Sequence, residues 1–268
     1  MNNTLVKGLL MLETLARSAH PMGVTELATA LGIPKSNVHR MLQALVELRY
    51  VLRDDDRGTY RASIRLWELG SAVLARLDLR TMALPAMEAL LERTRESVHL
   101  SVLDGDEVVY VHKLDSPEPV RAYSQIGGRA PAHCVATGKA MLAFESDAFL
   151  TSVSRRLTRH APRTLTDPAE FMREMERVRS QGYAVNRGEW RDSVCGVAAP
   201  IRGSDGRVLA ALGISGPAER IKPSAFKALA VHVVAAAEAV SSAMSPGASD
   251  AALARALIDC MRRPVTSA

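Results

Sequence analysis

The sequence has few cysteines, few aromatic residues and no long uncharged hydrophobic segment. Its three cysteines, Cys134, Cys195 and Cys260, are far apart and form no CxxC pair, which argues against a disulfide framework or a cysteine-rich zinc site. No uncharged run approaches the roughly 18 residues that span a bilayer. The first residues also lack the basic-then-apolar pattern of a secretory signal. We therefore expect a soluble, cytoplasmic protein with no membrane partner.

The overall composition is that of a globular protein. The chain has 268 residues, of which 47% are hydrophobic and 24% charged, and this length favours about two domains of roughly 150 residues each. Lys and Arg outnumber Asp and Glu by 34 to 29, a net charge of +5. A surplus this small does not by itself establish nucleic-acid binding.

The beginning of the chain has the element order of a winged helix-turn-helix. Apolar residues at helical spacing predict three helices, over about residues 5–18, 23–31 and 35–48. Gly and Pro punctuate the turn between the second and third helices. Two short segments, 50–52 and 59–62, flank a polar stretch and predict a β-hairpin, which would be the wing.

The solvent-facing side of the third predicted helix carries groups that can recognise DNA. A helix in the major groove presents donors and acceptors to base edges, while basic residues contact phosphates. Any solvated helix face carries such residues, so this face is informative only together with the turn before it and the hairpin after it. The candidate DNA-binding residues are Thr25, Lys35, Ser36, Asn37, His39, Arg40, Gln43 and Arg57.

From residue 81 onward, strands and helices mix without strict β-α alternation, which predicts an α+β domain of sensor type. A hairpin is expected around Asp104-Gly105-Asp106, because an Asp-Gly pair suits a tight turn between two apolar strands. Helices are predicted near 137–144, 168–181 and 224–242, and strands near 98–103, 107–112, 195–201 and 208–214.

These patterns divide the chain into four predicted segments. Residues 1–62 form the winged helix-turn-helix domain and residues 81–244 the second domain. Residues 63–80 carry an apolar stripe and predict a connecting helix that packs on the first domain or on a second subunit. Residues 245–268 read as a linker and a tail, with a weak helix around 253–261 that has no assigned role.

The stretch 127–140 resembles a phosphate-binding P-loop but departs from it. His133 stands where the first loop glycine belongs, and Ala140 replaces the Ser or Thr that holds magnesium. What remains is a loop that opens a helix, with free N–H groups at Ala136 and Thr137 that can bind a carboxylate. A helix start packed by small residues is an equally good interpretation of the spacing.

No catalytic or metal-binding set is recognisable. Cys134 follows His133, but sequence neighbours seldom face one another, so a core cysteine is the expected role. The seven histidines show no HExxH or similar metal spacing; His99 and His112 can pair across the predicted hairpin as a structural contact. There is no GxSxG motif. We expect no enzyme activity, no cofactor and no metal.

The stretch 182–201 combines a polar loop with a small-residue strand. Such a loop can close over a ligand cavity, with Trp190, one of only two tryptophans, as an apolar wall. Arg187 or Arg191 can then contact an anion. For each arginine taken separately, an ordinary surface-loop charge is the alternative.

Two of these segments resemble one known family. Residues 27–42 (LATALGIPKSNVHRML) resemble the helix-turn-helix of the isocitrate lyase regulator (IclR) family of bacterial transcription factors. Residues 182–201 and 211–217 resemble its effector-domain signature and the following strand, so the likeness extends over about residues 4–242. The resemblance implies a winged-helix domain, a linker helix with dimer contacts and a GAF-like effector-binding domain.

The resemblance also implies a function and a pocket. Family members act as dimers or pairs of dimers on partly palindromic double-stranded DNA operators and respond to small organic or aromatic acids. An enzyme with an accessory winged-helix domain for protein contacts is the alternative; a steep loss of DNA affinity with rising salt would distinguish the regulator. The candidate effector-binding residues are Ala136, Thr137, Asn186, Glu189, Trp190, Cys195, Gly196, Gly213 and Ser215.

The chain departs from the family pattern at three of these positions. The family often has an acid at the position of Asn186, a cysteine at that of Gly196 and a hydroxyl residue at that of Gly213, whereas here the cysteine comes one place earlier, at Cys195. We therefore expect a less polar and roomier pocket. The expected effector is larger or more apolar than a two-carbon keto acid, for example an aromatic acid.

Overall fold

The computed structural model of the protein describes residues 3–75 and 79–244. The chain divides into two compact units, Met1–Leu77 and Asp78–Ala268. The predicted linker after residue 244 and the predicted tail helix lie outside the described residues. The division into four segments stays a prediction.

The first unit is a winged helix-turn-helix, as predicted. Its hairpin is extended by a short strand at residues 22–23, where the sequence indicated only a chain break; Met22 pairs with Tyr60. The sheet order is β1-β3-β2. The elements are α1 (Asn3–Arg17), β1 (Met22–Gly23), α2 (Val24–Leu31), α3 (Lys35–Glu47), β2 (Val51–Asp54), β3 (Thr59–Ala62) and α4 (Arg65–Ala75).

A small apolar core positions the third helix. Leu27 of α2, Val38 and Leu42 of α3 and Tyr60 of the wing are all buried in one cluster. Gly32 ends α2 with a φ of +62°, a left-handed conformation that glycine adopts without strain. The sharp turn and this core together leave the opposite face of α3 to solvent.

The second unit is built on a six-stranded antiparallel sheet with the order β6-β5-β4-β9-β8-β7. Helices α5 and α9 pack on one side, and α6, backed by α8, packs on the other. The elements are α5 (Leu79–Thr94), β4 (Ser97–Asp104), β5 (Glu107–Leu114), β6 (Arg129–Pro131), α6 (Ala136–Leu142), α7 (Asp147–Ser154), α8 (Pro168–Gln181), β7 (Ala184–Arg187), β8 (Val194–Arg202), β9 (Val208–Pro217) and α9 (Phe226–Ala243), with 3₁₀ turns at Ala132–Cys134 and Pro223–Ala225.

Helix α9 with the turn before it, Pro223–Ala243, has the length and composition of a membrane-spanning helix, with a mean hydropathy of 1.3 over a window of 18 residues. It packs against β8, β9 and α5. A core helix buried against a sheet has the same composition, so this pattern is weak evidence for a membrane.

The structure corrects two details of the sequence prediction. β6, α7 and β7 were not predicted, and β7 lies where a loop was expected. The pairing of His99 with His112 is also wrong, because His99 lies opposite Lys113 and His112 opposite Leu100. The turn alone would pair the two histidines, but a bulge between Leu100 and Ser101 shifts the register by one residue.

Candidate nucleic-acid interface and ligand cavity

The fold gathers six of the predicted DNA-binding residues on one face of α3. Helix α3 buries Val38, Met41 and Leu42, so the residues between them point outwards. Asn37 is half-buried and accepts a 3.4 Å hydrogen bond from Arg40. We call this face the recognition surface; it consists of Lys35, Ser36, Asn37, His39, Arg40 and Gln43.

Three further residues lie in the same unit. Thr25 is exposed in the first turn of α2, and Arg57 is exposed in the turn of the wing, where its backbone N–H donates to Asp54. Lys7, which the sequence pattern did not single out, lines a small depression together with Asn37 and Arg40. A basic side chain beside the recognition surface can contact a phosphate. Nothing in the spacing of α1 distinguishes Lys7 from an ordinary surface lysine.

The second unit contains a cavity between the α6 side of its sheet and the loop that follows β7. Strands β4, β5, β7, β8 and β9, the start of α6 and residues 122–124 complete its walls. The space measures about 510 Å³, counted together with its solvent-open mouth. The predicted pocket residues that line it are Ala136, Thr137, Asn186, Trp190, Gly196 and Ser215.

Three predicted pocket residues are not among the lining residues. Glu189 turns its carboxylate to the buried Lys139 instead. Cys195 precedes Gly196 on β8, and because side chains alternate along a strand, it points to the other face. Gly213 lies against β8, where a Cβ would come within 2.6 Å of the Cβ of Ala198.

The expected extra room at the two glycines is also not found. A Cβ at Gly196 would lie 2.6 Å from the carbonyl oxygen of Ile214. At both Gly196 and Gly213 the space that a side chain would take is already filled by the neighbouring strand. These glycines therefore allow close packing of β8 and β9 rather than enlarging the cavity.

A buried histidine forms the polar centre of the cavity. His99 Nε2 lies 2.6 Å from Ser215 Oγ, and its Nδ1 lies 3.1 Å from Ser124 Oγ. Burial and, secondarily, the charge of Lys113 lower the pKa of His99 to about 4, so the ring is neutral at pH 7. Burial raises the pKa of Tyr110, another lining residue, to about 12, so its hydroxyl stays protonated. Tyr110 was not singled out by the sequence pattern, and His99 was predicted only to make a structural contact.

The charge in the cavity wall comes from Arg191. Its guanidinium lies 5.1 Å from the centre of the Trp190 ring, an arrangement typical of a cation stacked on an aromatic face. Among the lining residues, all of which lie in the part of the chain that the structure describes, there is no carboxylate. The wall therefore combines aromatic surface with one positive charge, which suits an organic anion.

A buried ion cluster supports two walls of this cavity. The Lys139 ammonium contacts the carboxylate of Glu189 and lies 3.2 Å from Glu174 Oε1, and all three side chains are buried. We call these three residues the Lys139 cluster. It joins α6, α8 and the loop after β7. Lys139, the lysine of the P-loop-like stretch, is therefore buried in the protein interior.

The cysteine of that stretch is not an activated nucleophile. Cys134 is fully buried, and burial, followed by the charge of Glu189, raises the pKa of its thiol to about 12. An attacking cysteine needs its thiolate near neutral pH. A role in the interior of the unit, as expected from the sequence, agrees with this.

A winged helix-turn-helix joined to a domain with a ligand cavity is the architecture of a DNA-binding transcriptional regulator. Residues 4–55 match the IclR helix-turn-helix domain, and residues 71–242 match the domain described as bacterial transcriptional regulator IclR C-terminal. The chain belongs to the IclR family. The resemblance recognised in the sequence is confirmed.

Relatives and solved structures agree with this assignment. The chain is 34% identical over 227 residues to the HTH-type transcriptional regulator KdgR of Escherichia coli K12, covering 83% of this chain and 86% of KdgR. The crystal structure of Thermotoga maritima IclR has a TM-score of 0.74 at 30% identity, covering 91% of this chain and 99% of that one.

A third similar protein is an IclR homologue from Microbacterium hydrocarbonoxydans in complex with 4-hydroxybenzoate. Its crystal structure has a TM-score of 0.78 at 29% identity and covers 90% of this chain and 100% of that one. The protein is therefore a transcriptional regulator with a DNA-binding domain. The alternative of an enzyme with an accessory winged-helix domain is not supported, because its relatives are regulators.

Proposed function

We propose that this regulator binds a partly palindromic operator and changes its DNA binding when an aromatic acid enters the cavity of its second unit. It acts in the bacterial cytoplasm, as a dimer or a dimer of dimers. The observation that carries the proposal is the make-up of the cavity wall, where Trp190 and Tyr110 provide aromatic surface and Arg191 a positive charge.

The recognition surface supports the DNA half of the proposal. Ser36 and Gln43 offer both donors and acceptors, Arg40 offers a guanidinium, and all three are exposed on one side of α3. Side chains of these types read base edges in the major groove, while Lys35, Thr25 and Arg57 contact phosphates. One such surface reads one half-site, so two copies of the chain read a palindrome.

The cavity supports the effector half. We assign the effector carboxylate to Arg191, since a charge-assisted hydrogen bond to a guanidinium is the strongest anion contact that the wall provides. The aromatic ring lies against Trp190. A hydroxyl on the ring would bond to the network of His99 and Ser215, whose atoms both donate and accept.

The related structure with bound 4-hydroxybenzoate supports this class of ligand. The reason for favouring an aromatic acid over a small keto acid is the aromatic wall formed by Trp190 and Tyr110. Additional space at Gly196 and Gly213 is not the reason, because the neighbouring strands fill it. The bound acid would select one arrangement of the loop that carries Trp190 and Arg191. Through the linker helix, that choice shifts the spacing of the two recognition surfaces.

Calorimetry with a small set of acids tests the effector half. We expect 4-hydroxybenzoate and benzoate to bind, and the neutral 4-hydroxybenzamide to bind less tightly, because it lacks the charge that Arg191 recognises. Trp190→Ala should weaken binding of both aromatic acids. Tight binding of glyoxylate or pyruvate with no binding of an aromatic acid would contradict the proposal.

A salt titration tests the DNA half. The DNA is a fragment that the full-length protein selects from a random duplex pool. A protein that neutralises several phosphates loses affinity linearly on a logarithmic salt scale, with a slope of about 0.9 per phosphate contact. A slope near zero, or a pool from which no fragment is selected, would contradict the assignment of phosphate contacts to Lys35, Thr25 and Arg57.

A further inference from the structure

A cluster of three potential metal ligands lies next to the cavity wall. His133, Cys134 and His160 each offer one ligand atom, and these atoms all lie within 4.8 Å of one another. His133 and Cys134 are buried in the 3₁₀ turn that leads into α6, while His160 is exposed. No sequence spacing indicates the cluster, because His160 lies far along the chain from His133 and Cys134.

One residue, Thr158, orients both imidazole rings. Its carbonyl oxygen lies 3.1 Å from His133 Nε2. Since a carbonyl only accepts, Nε2 carries the proton, and in the neutral ring Nδ1 keeps a lone pair. The hydroxyl of Thr158 lies 2.8 Å from His160 Nε2. Hydrogen bonds of this kind to the second ring nitrogen are typical of metal-ligating histidines.

The donor set suits zinc. One thiolate and two imidazoles are ligands that Zn²⁺ prefers, with Zn–S and Zn–N bonds of about 2.3 and 2.0 Å. In a tetrahedral site the ligand atoms are then about 3.3 to 3.6 Å apart. The ligand atoms lie up to 4.8 Å apart in the structure, about 1 Å more than in a tetrahedral site. Rotation of the exposed His160 side chain can close this gap. Three protein ligands leave the fourth position for a water molecule.

We propose that His133, Cys134 and His160 form a zinc site that fastens the segment around residue 160 to the start of α6. Binding replaces the proton of the Cys134 thiol with the Zn–S bond, so one proton is released for each ion bound. The ion supplies the positive charge that the buried thiolate otherwise lacks. There is no change of oxidation state.

The position of the site links it to the cavity. Val135 and Ala136, which directly follow the site, line the cavity. On the other side, Thr164 Oγ1 donates a 2.5 Å hydrogen bond to the carbonyl oxygen of Glu189, the residue before Trp190. Zinc would therefore stabilise both walls at once, and we expect it to raise the melting temperature of the full-length protein.

Cobalt spectroscopy on the chelator-treated, full-length protein tests the site. Co²⁺ bound through a thiolate has a sulfur-to-metal charge-transfer band in the near ultraviolet, and we expect one Co²⁺ per chain, displaced by Zn²⁺. His160→Ala removes an exposed side chain, so folding is preserved. It should weaken Zn²⁺ binding by about 100-fold or more. Cys134→Ser should abolish the charge-transfer band.

Matched variants serve as controls. His20→Ala removes another exposed histidine, and Cys195→Ser another buried cysteine; both should bind Co²⁺ and Zn²⁺ like the wild type. Three results would overturn the proposal: no charge-transfer band in the wild type, a band that survives Cys134→Ser, or wild-type zinc affinity in His160→Ala.

Discussion

The ammonium group of Lys139 lies 2.8 Å from Oε1 and 2.6 Å from Oε2 of Glu189, and the two side chains are buried. Lys139 belongs to α6, whose first residues line the cavity. Glu189 directly precedes Trp190, which forms the facing wall. This single ion pair therefore holds together two elements that must be correctly placed for a ligand to bind.

We expect Lys139→Met to be strongly destabilising. Removal of the lysine leaves the buried carboxylate of Glu189 without its cation, whereas Glu174 keeps its 2.7 Å ion pair with Arg177. We expect a cost of about 3 to 5 kcal/mol in the free energy of unfolding. Urea denaturation at pH 7 measures this cost. The control is Lys227→Met, which replaces an exposed lysine and should change stability by no more than about 0.5 kcal/mol.

The double variant Lys139→Met/Glu189→Gln gives a further check on this pair. It removes the uncompensated carboxylate charge of Glu189, so it should be more stable than Lys139→Met alone. Equal stability of the single and double variants would mean that Glu189 does not depend on Lys139.

Arg40→Ala tests the recognition surface. If Arg40 contacts a base, its loss should weaken binding to the selected DNA fragment by about 1 to 3 kcal/mol, as measured by fluorescence anisotropy at fixed salt. Arg173→Ala removes the same charge from an exposed position in the second unit and should leave binding unchanged. Wild-type affinity in Arg40→Ala would show that Arg40 does not contact the DNA.

Acid should destabilise the second unit through His99. The pKa of His99 in the folded protein is about 4, below its ordinary value of 6.5, so as the pH falls the unfolded chain takes up the proton first. The stability that His99 contributes is complete above pH 6.5 and is lost between pH 6.5 and 4. The full contribution of His99 to the free energy of unfolding is about 3 kcal/mol.

Urea midpoints at pH 7.5, 5.5 and 4.5 measure this loss. Burial also lowers the pKa values of His112, His133 and His232, so the wild type alone does not isolate His99. We compare it with His99→Asn, which cannot titrate and should lose less stability over the same range. Identical pH profiles would show that His99 is not the responsible group.

Gly196→Ala should destabilise the sheet, because the new Cβ would lie 2.6 Å from the backbone oxygen of Ile214. Overpacking against backbone costs about 1 to 3 kcal/mol. Gly203→Ala is the matched control, since its Cβ would meet only side-chain atoms, those of Leu209 and Asp205, which can move. If Gly196→Ala is as stable as the control, β8 and β9 have more freedom than the structure indicates.

The helix-turn-helix was predictable because its signals are local. A stripe of apolar residues, Val38, Met41 and Leu42, determines which face of α3 is buried, and Gly32 marks the end of the preceding helix. Once the buried face is known, the exposed residues follow from helix geometry alone. The observed bounds of α3, Lys35–Glu47, accordingly lie within one residue of the predicted range 35–48.

The cavity was only partly predictable because it depends on long-range pairing. β7 contains Asn186 and Arg187, so it lacks an apolar strand pattern. The bulge after Leu100 changes the register of β4 against β5, and no residue type in these strands predicts that bulge. Strand alternation did contain one usable signal: since Gly196 was assigned to the pocket, Cys195 belonged on the opposite face.

The central claim is that an acid bound at Arg191 changes DNA binding, and one measurement tests it directly. The affinity for the selected DNA is measured by anisotropy over a range of 4-hydroxybenzoate concentrations, for the wild type, Arg191→Gln and the exposed control Arg155→Gln. We predict that the acid changes the DNA affinity of the wild type and of the control by at least about fivefold, and that Arg191→Gln needs at least about tenfold more acid for the same change. Two results would contradict the account: a wild-type DNA affinity that does not change at saturating acid, or an Arg191→Gln variant that responds at the same acid concentrations as the wild type.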